Sequence, residues 1–152
     1  MKRSAKAQWK GNLKQGQGYI DTESGVLSHQ SYSFIKRFGD EKGTNPEELI
    51  AAAHASCFSM AFAAELEKRQ LTAESIEVQA IVHLENISNS WSISEVNLHV
   101  KANVPSASAY KVEDAANIAK VNCPVSKLLR AQITLDLNLI GEAETGFEGS
   151  PS

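Results

Sequence analysis

The chain has 152 residues, of which 22% are charged, and its formal net charge is -3 at pH 7. This length fits one domain that buries well over half of the surface of the unfolded chain. The small net charge argues against a nucleic-acid-binding surface and against an acidic disordered chain. The basic N-terminal segment lacks the apolar core of a signal peptide. We therefore expect one cytoplasmic domain over residues 1–140, followed by a flexible tail at residues 141–152.

Short apolar segments separated by glycines occupy the first 38 residues and predict a meander of β-strands. They read AQWKGNL, QGQGYIDT, ESGVLSHQ and SYSFIKRF. The polar loop that follows ends in helix start signals, with Asn45 as the N-cap, Pro46 at the first helical position and Glu48 three residues after the cap. These signals predict a first helix from about Pro46 to Arg69.

Residues 49–66, LIAAAHASCFSMAFAAEL, are apolar over a length that raises the question of a membrane span. The segment contains His54, Ser56 and Ser59 and consists largely of alanine. These polar residues favour a helix in the core of the protein.

Alternating apolar residues predict a half-buried strand over residues 75–85 and a second strand in WSISEVNLHVKANV. The apolar parity of the second strand changes between Ile93 and Val96, which predicts a bulge near Ser94.

The last third of the chain predicts two helices and a strand. A helix is predicted after Pro105, and a short helix begins at Pro124 with Cys123 at its N-cap. The alternating segment AQITLDLNLI forms the last strand. The order of elements predicts an α+β fold in which an antiparallel sheet packs on the central helix.

The two cysteines, Cys57 and Cys123, lie 66 positions apart, too sparse for a disulfide scaffold and without zinc-site spacing. Buried cysteines often act only as small apolar side chains, so inert core thiols are the first interpretation. The second is a redox pair. Cys123 lies where a helix N-terminus would stabilise a thiolate. An apolar helix interior raises the pKa of Cys57 unless a cation lies beside it.

Arg37, next to the loop before the first helix, is the candidate cation, although it would equally be a solvated charge on a strand. Glu47 either complements the helix dipole or holds an arginine through two parallel hydrogen bonds. Glu47 and Cys57 are ten residues apart, roughly 15 Å along one helix. If both contact one arginine, we expect them to come from different subunits, with antiparallel helices across a two-fold axis.

His54 precedes Cys57 by three residues, so a metal site has to be considered. Zinc requires three or four such ligands, and the other histidines are scattered over predicted loops and strands, which disfavours a metal centre. We expect His54 to be a satisfied polar residue at a helix packing surface. A cysteine hydrolase with His54 as the base is disfavoured because this spacing rarely aligns a base with its nucleophile.

Two segments, RFGDEKGTNPEELIAAAHASCFSMAFAAEL and NCPVSKLLRAQITLDL, resemble the osmotically inducible protein C family, which is related to the organic hydroperoxide resistance proteins. The resemblance runs from AQWKGNLKQGQG through the last strand. It implies an intertwined homodimer in which the sheet wraps around a buried central helix. It also implies a thiol-dependent peroxidase that reduces organic hydroperoxides to alcohols, and hydrogen peroxide less readily.

The resemblance implies that Cys57 is the peroxidatic cysteine and Cys123 the resolving cysteine, with Arg37 and Glu47 completing the site. It implies re-reduction by a dithiol such as a dihydrolipoyl protein, without a bound flavin, haem or metal. From the small net charge and the polar residues of the apolar helix, we expect no nucleic-acid partner and no membrane partner. Apolar side chains on the helix, including Phe58, Met60 and Phe62, are expected to favour a bulky peroxide. The alternative is a stress-related protein that binds a small molecule without catalysis and whose cysteines are structural.

Overall fold

The computed structural model describes residues 1–141, and the predicted tail lies outside the described residues from position 142 onward. The chain divides into two compact units, Met1–Leu49 and Ile50–Ser152. We describe each unit by itself.

The first unit contains a three-stranded antiparallel sheet and a short helix. Its elements are β1 (Ala5–Lys10), β2 (Gln17–Thr22), β3 (Gln30–Tyr32) and α1 (Phe34–Phe38). The strands lie in the order β1-β2-β3. The predicted meander is therefore confirmed for three strands. The prediction of a strand for ESGVLSHQ is wrong because residues 23–29 form turns and bends before β3. The prediction of a strand for FIKRF is also wrong because this segment forms α1.

Helix α1 forms because its local signals favour a helical turn over a strand. The hydroxyl of Ser33 accepts a hydrogen bond from the backbone N–H of Lys36 at 3.2 Å, which makes Ser33 the N-cap. Phe34 and Phe38 are four residues apart, so a helix brings their rings onto one face, with centroids 4.9 Å apart. A strand would have placed them on one face at a greater distance and without the cap.

Helix α2 spans Pro46–Glu67, two residues short of the predicted end. The side chain of Asn45 accepts a hydrogen bond from the backbone N–H of Glu48 at 2.8 Å, which confirms the predicted N-cap.

The second unit contains the remaining strands and helices. They are β4 (Ser75–Ile87), β5 (Ser90–Asn103), α3 (Ala109–Asn122), α4 (Pro124–Leu128) and β6 (Gln132–Leu139). The strand order is β4-β5-β6, with β5 in the centre.

Strands β4 and β5 form a hairpin whose two turn residues, Ser88 and Asn89, both have positive φ angles, as a tight hairpin turn of this length requires. The pairing shifts from His83 opposite Glu95 to Leu84 opposite Ile93, which leaves Ser94 unpaired. The bulge predicted near Ser94 is thereby confirmed.

Strands β5 and β6 run parallel, so the prediction of a purely antiparallel sheet is wrong. The chain leaves β5, passes through α3 and α4 and enters β6 in the same direction, the crossover connection that parallel strands need. The fold is α+β, as predicted, with one antiparallel and one mixed sheet.

The core of the second unit lies between α2, α3 and the mixed sheet. Its largest fully buried apolar side chains are Phe58, Phe62 and Leu66 from α2, Leu98, Val96 and Val100 from β5, and Val112 from α3. The end of α2 is tied to α3 because Arg69 donates hydrogen bonds to Glu65 at 3.2 Å and to Asp114 at 2.5 Å. These contacts fix α2, which carries Cys57, against α3, whose C-terminal end leads into Cys123.

Only one face of α2 is buried within the chain, so the expected central helix is partly uncovered. Its exposed residues are Glu48, Ala52, Ala53, Ser56, Met60, Ala63, Ala64 and Glu67. Among residues 1–141, α2 is the one helix long and apolar enough to cross a membrane by length and composition, a criterion that a core helix also meets.

Candidate active site

The structure brings the two cysteines together in the second unit. Cys57 lies near the middle of α2 and is partly exposed, whereas Cys123 is fully buried between α3 and α4. Both are free thiols, and they lie close enough for a hydrogen bond with Cys123 to raise the pKa of Cys57. Residues that are 66 positions apart in the sequence therefore form one thiol pair.

The backbone places Cys123 at the junction of two helices. Its N–H donates to the carbonyl of Ala119 at 2.8 Å, which ends α3, and its carbonyl accepts from the N–H of Lys127 at 3.0 Å, which begins α4. Pro124 occupies the first helical position of α4, so the predicted N-cap position of Cys123 is confirmed. The Cys123 side chain makes no capping hydrogen bond.

The surroundings of Cys57 oppose its ionisation. Burial raises the pKa of this thiol, and the hydrogen bond and charge of Cys123 raise it further, whereas a hydrogen bond from the backbone N–H of Val125 lowers it. The predicted direction for Cys57 is thereby confirmed. Val125 lies in the first turn of α4. The sequence analysis predicted that the N-terminus of α4 would stabilise a thiolate at Cys123. In the structure this N-terminus contributes an N–H to Cys57.

Arg37 and Glu47 form the second pair of predicted site residues, within the first unit. The Arg37 Nε donates to Glu47 Oε2 at 3.1 Å, and Nη2 donates to Oε1 at 2.6 Å. This two-bond arrangement fixes the plane of the guanidinium. The guanidinium carbon also lies 5.1 Å from the centre of the Phe38 ring. Arg37 is therefore a cation paired with Glu47, and its side chain remains 37% exposed. The prediction that it lies on a strand is wrong because it lies on α1.

An aromatic cavity of about 250 Å³ adjoins Arg37 in the first unit. Its lining consists of Trp9, Leu13, Tyr32, Ser33, Phe34, Arg37, Phe38 and Pro46. The sequence analysis missed Trp9 and Tyr32, which meet because both pair with Gly18 from either side of β2. A Cβ at Gly18 would lie 2.8 Å from the Trp9 ring, so the glycine leaves room for the two aromatic side chains. The signal that could have identified them is a glycine on the middle strand that pairs with an aromatic residue on each neighbouring strand.

Phe58, Met60 and Phe62, which were expected to favour a bulky peroxide, are not among the residues that line this cavity. Phe58 and Phe62 are fully buried in the core of the second unit, whereas Met60 is 76% exposed.

His54 is fully buried on α2, one turn before Cys57. Its Nε2 lies 2.8 Å from the hydroxyl oxygen of Ser126 on α4, but its Nδ1 has no hydrogen-bond partner among residues 1–141. Burial lowers the pKa of His54 and so favours the neutral ring. The expectation of a satisfied histidine is met at one nitrogen only. Within residues 1–141 no group of three or more His, Cys, Asp or Glu side chains is arranged to hold a metal ion.

The fold is that of known proteins with similar sequences. A solved structure of an OsmC-like protein of unknown function from Vibrio cholerae superposes with a TM-score of 0.72 and 20% identity, covering 91% of this chain and 99% of that one. Peroxiredoxin OsmC of Escherichia coli strain K12 is 44% identical over 137 residues, 90% of this chain and 96% of that protein. An organic hydroperoxide resistance protein-like chain of Staphylococcus aureus is 36% identical over 129 residues, 84% of this chain and 90% of that protein.

The fold and the sequence identities place the chain among the α+β proteins of the OsmC and organic hydroperoxide resistance type. The sequence model described as OsmC-like protein matches residues 39–138. This chain belongs to the OsmC-like protein family, which confirms the resemblance found in the sequence.

Replacing the resolving candidate should make the other thiol more acidic. In Cys123→Ala we expect the pKa of Cys57 to fall relative to the unmodified protein, because both contributions of Cys123 raise it. The measurement is the rate of iodoacetamide alkylation at Cys57 against pH, read by mass spectrometry. Ser59→Ala, which removes a hydroxyl bonded only to the local backbone carbonyl of Ser56, is the matched control. A midpoint in Cys123→Ala that is unchanged or higher would contradict the prediction.

Proposed function

We propose that this protein is a thiol-dependent peroxidase that reduces organic hydroperoxides to alcohols, and hydrogen peroxide less readily. The observation that carries the proposal is the contact between the Cys57 and Cys123 side chains, which joins a partly exposed thiol to a buried one. The relative in E. coli is named a peroxiredoxin, and the relative in S. aureus is named for organic hydroperoxide resistance. If both cysteines were only packing residues of the core, nothing would require Cys57 to be partly exposed beside the buried Cys123.

In the proposed reaction the Cys57 thiolate attacks the distal oxygen of the peroxide, so that an S–O bond forms and the O–O bond breaks. The alkoxide that leaves takes up the proton lost from the Cys57 thiol and becomes the alcohol. Cys57 is oxidised to a sulfenic acid by two electrons, and the peroxide is reduced by the same two. The Cys123 thiol then displaces the hydroxyl from Cys57, so that a disulfide and water form. An external dithiol reopens the disulfide by thiol exchange.

We propose that Arg37 supplies the cation that this reaction requires. The surroundings of Cys57 within its own unit raise its pKa, so the thiolate needs a nearby positive charge. Glu47 orients the Arg37 guanidinium through two hydrogen bonds. These bonds engage both carboxylate oxygens of Glu47, whose negative charge would otherwise repel a thiolate. A guanidinium beside Cys57 would also stabilise the negative charge that develops on the departing alcohol oxygen.

The aromatic cavity beside Arg37 supports an organic substrate. Its wall is formed by the rings of Trp9, Tyr32, Phe34 and Phe38, which would bury the apolar part of a hydroperoxide. The smaller and more polar hydrogen peroxide would gain little from this wall.

We propose a homodimer in which two α2 helices pack antiparallel across a two-fold axis. The uncovered face of α2 carries alanines that permit close approach and the exposed side chain of Met60. Glu47 and Cys57 are separated by roughly 15 Å of helix, so the arginine and the thiols of one site would come from different subunits.

We propose that the reductant is a dithiol such as a dihydrolipoyl protein and that the protein acts in the cytoplasm. The reaction uses thiols and a guanidinium and needs no flavin, haem or metal. Neither a nucleic acid nor a membrane is a partner in this proposal.

The two cysteines should have separable effects. We expect Cys57→Ser to abolish turnover of cumene hydroperoxide with dihydrolipoamide, because the nucleophile is lost. Cys123→Ser should still be oxidised once, and mass spectrometry should then find a sulfenic or more highly oxidised Cys57. Free thiols that remain unchanged after peroxide treatment of the native protein would favour the small-molecule-binding alternative. An unoxidised Cys57 in Cys123→Ser would contradict the assigned roles.

Loss of the guanidinium should slow the first oxidation. We expect Arg37→Gln to reduce the rate of Cys57 oxidation by about a hundredfold, as for other donors at a developing oxyanion, and to raise the pKa of Cys57. Glu47→Gln should have a smaller effect of the same sign because the guanidinium loses its charged partner. Arg3→Gln, at an exposed arginine that bonds only to the neighbouring Lys2 carbonyl, is the control. Stopped-flow oxidation at several pH values measures both quantities, and equal rates in Arg37→Gln and Arg3→Gln would exclude the role.

A charge on the uncovered face of α2 should separate the subunits. Met60→Lys is expected to give a monomer in sedimentation velocity because it places an unpaired charge in the proposed interface. Tyr110→Lys, at an equally exposed apolar position on α3, should leave the dimer intact. A native protein that sediments as a monomer, or a Met60→Lys variant that remains dimeric, would count against this arrangement.

A further inference from the structure

The buried histidine on α2 has no part in the reaction as proposed so far. We infer that His54 is a positioning residue, whose hydrogen bond to Ser126 holds α4 against α2 so that Cys123 can close the disulfide with Cys57. This inference rests on the proposed peroxidase function. It assigns to His54 and Ser126 an effect on the second chemical step, the closing of the disulfide.

The geometry of the two helices carries the inference. His54 and Cys57 are three residues apart on α2, and Cys123 and Ser126 are three residues apart at the start of α4. Cys57 contacts Cys123, and His54 Nε2 lies 2.8 Å from Ser126 Oγ. The same two helical segments are thus joined twice, once by the thiol pair and once by the imidazole–hydroxyl pair, one turn away.

Helix α4 needs such a contact because it cannot hold its own position. It has five residues, and a helix of that length is unstable alone. Its N-cap side chain, Cys123, makes no capping hydrogen bond. Its place relative to α2 therefore depends on tertiary contacts.

The hydrogen bond is specific because the ring has few alternatives. His54 is fully buried, and its Nδ1 has no partner within the part of the chain that the structure describes. The Ser126 hydroxyl is therefore the polar contact of the ring, and its loss would leave both ring nitrogens buried without a partner. The arrangement favours the position of α4 at which this bond is made.

Of the two chemical steps, the closing of the disulfide depends more on the position of α4 than the first oxidation does. The S–S bond forms as the S–O bond of the Cys57 sulfenic acid breaks, and the proton of the Cys123 thiol leaves with the hydroxyl as water. The two sulfurs must come within about 2.0 Å of each other, so a displacement of α4 lowers the fraction of molecules poised to react. The first oxidation takes place at Cys57 on α2, and its two neighbours from α4, the Val125 N–H and the Cys123 thiol, form no covalent bond in that step.

The test uses the full chain with Ser126→Ala and rapid mixing with cumene hydroperoxide. Trapping with dimedone follows sulfenic acid, and non-reducing mass spectrometry follows the disulfide. We expect the closing rate to fall about tenfold or more, whereas the first oxidation changes far less, since misplacement of a reacting group by a fraction of an ångström has effects of this size. More Cys57 should then be oxidised beyond sulfenic acid at high peroxide.

Three further variants make the result specific. Ser126→Thr keeps the hydroxyl and should restore the native closing rate, and Ser59→Ala should leave both rates unchanged. His54→Leu removes both ring nitrogens and should slow closing as Ser126→Ala does, and it provides the test if Ser126→Ala fails to fold. Restoration by Ser126→Thr separates the hydrogen bond from a general loss of packing.

The failures of the two proposals are distinguishable. If the native protein forms no sulfenic acid or disulfide, the peroxidase proposal fails and the role of His54 fails with it. If the native protein closes its disulfide and a folded Ser126→Ala or His54→Leu closes it equally fast, the inference about His54 is overturned and the peroxidase proposal stands. Equal slowing of both steps in these variants would also overturn it, because the effect would then be a general structural one.

Discussion

The contact between Cys57 and Cys123 is the constraint on which the rest of the second unit depends. It requires that the middle of α2 and the junction of α3 and α4 meet, which the core packing of α2 on α3 and the ion pairs of Arg69 bring about. The contact also sets a chemical problem. A sulfur placed in this apolar surface ionises less readily, and its neighbouring thiol adds to the effect.

The structure contains hydrogen-bond donors in fixed positions that can oppose the raised pKa of Cys57. The Val125 N–H lowers the pKa of Cys57 by direct hydrogen bonding. The Arg37–Glu47 pair of the first unit is a cation held in a defined orientation, and we propose that it completes the stabilisation of the thiolate. A preoriented guanidinium needs little reorganisation when charge develops during the reaction, which is why such groups contribute strongly to catalysis.

Local signals in the sequence predicted much of this structure. The cap at Asn45, the parity change around Ser94 and the Cys123-Pro124 junction each depend on neighbouring residues, and all three were confirmed. The segment FIKRF was predicted as a strand because its apolar run was read without its Ser33 cap. The parallel pairing of β6 was missed because strand direction depends on how α3 and α4 cross the sheet.

The sequence by itself determined the family, the long apolar helix and the four candidate site residues, because motifs and periodicity are local properties. Only the tertiary structure decided that Cys57 meets Cys123, that Arg37 lies on a helix in a fork with Glu47, and that His54 bonds to Ser126. Residues 123 and 126 are far from α2 in the chain. Their contacts follow from how the helices pack on the sheet, which no short segment encodes.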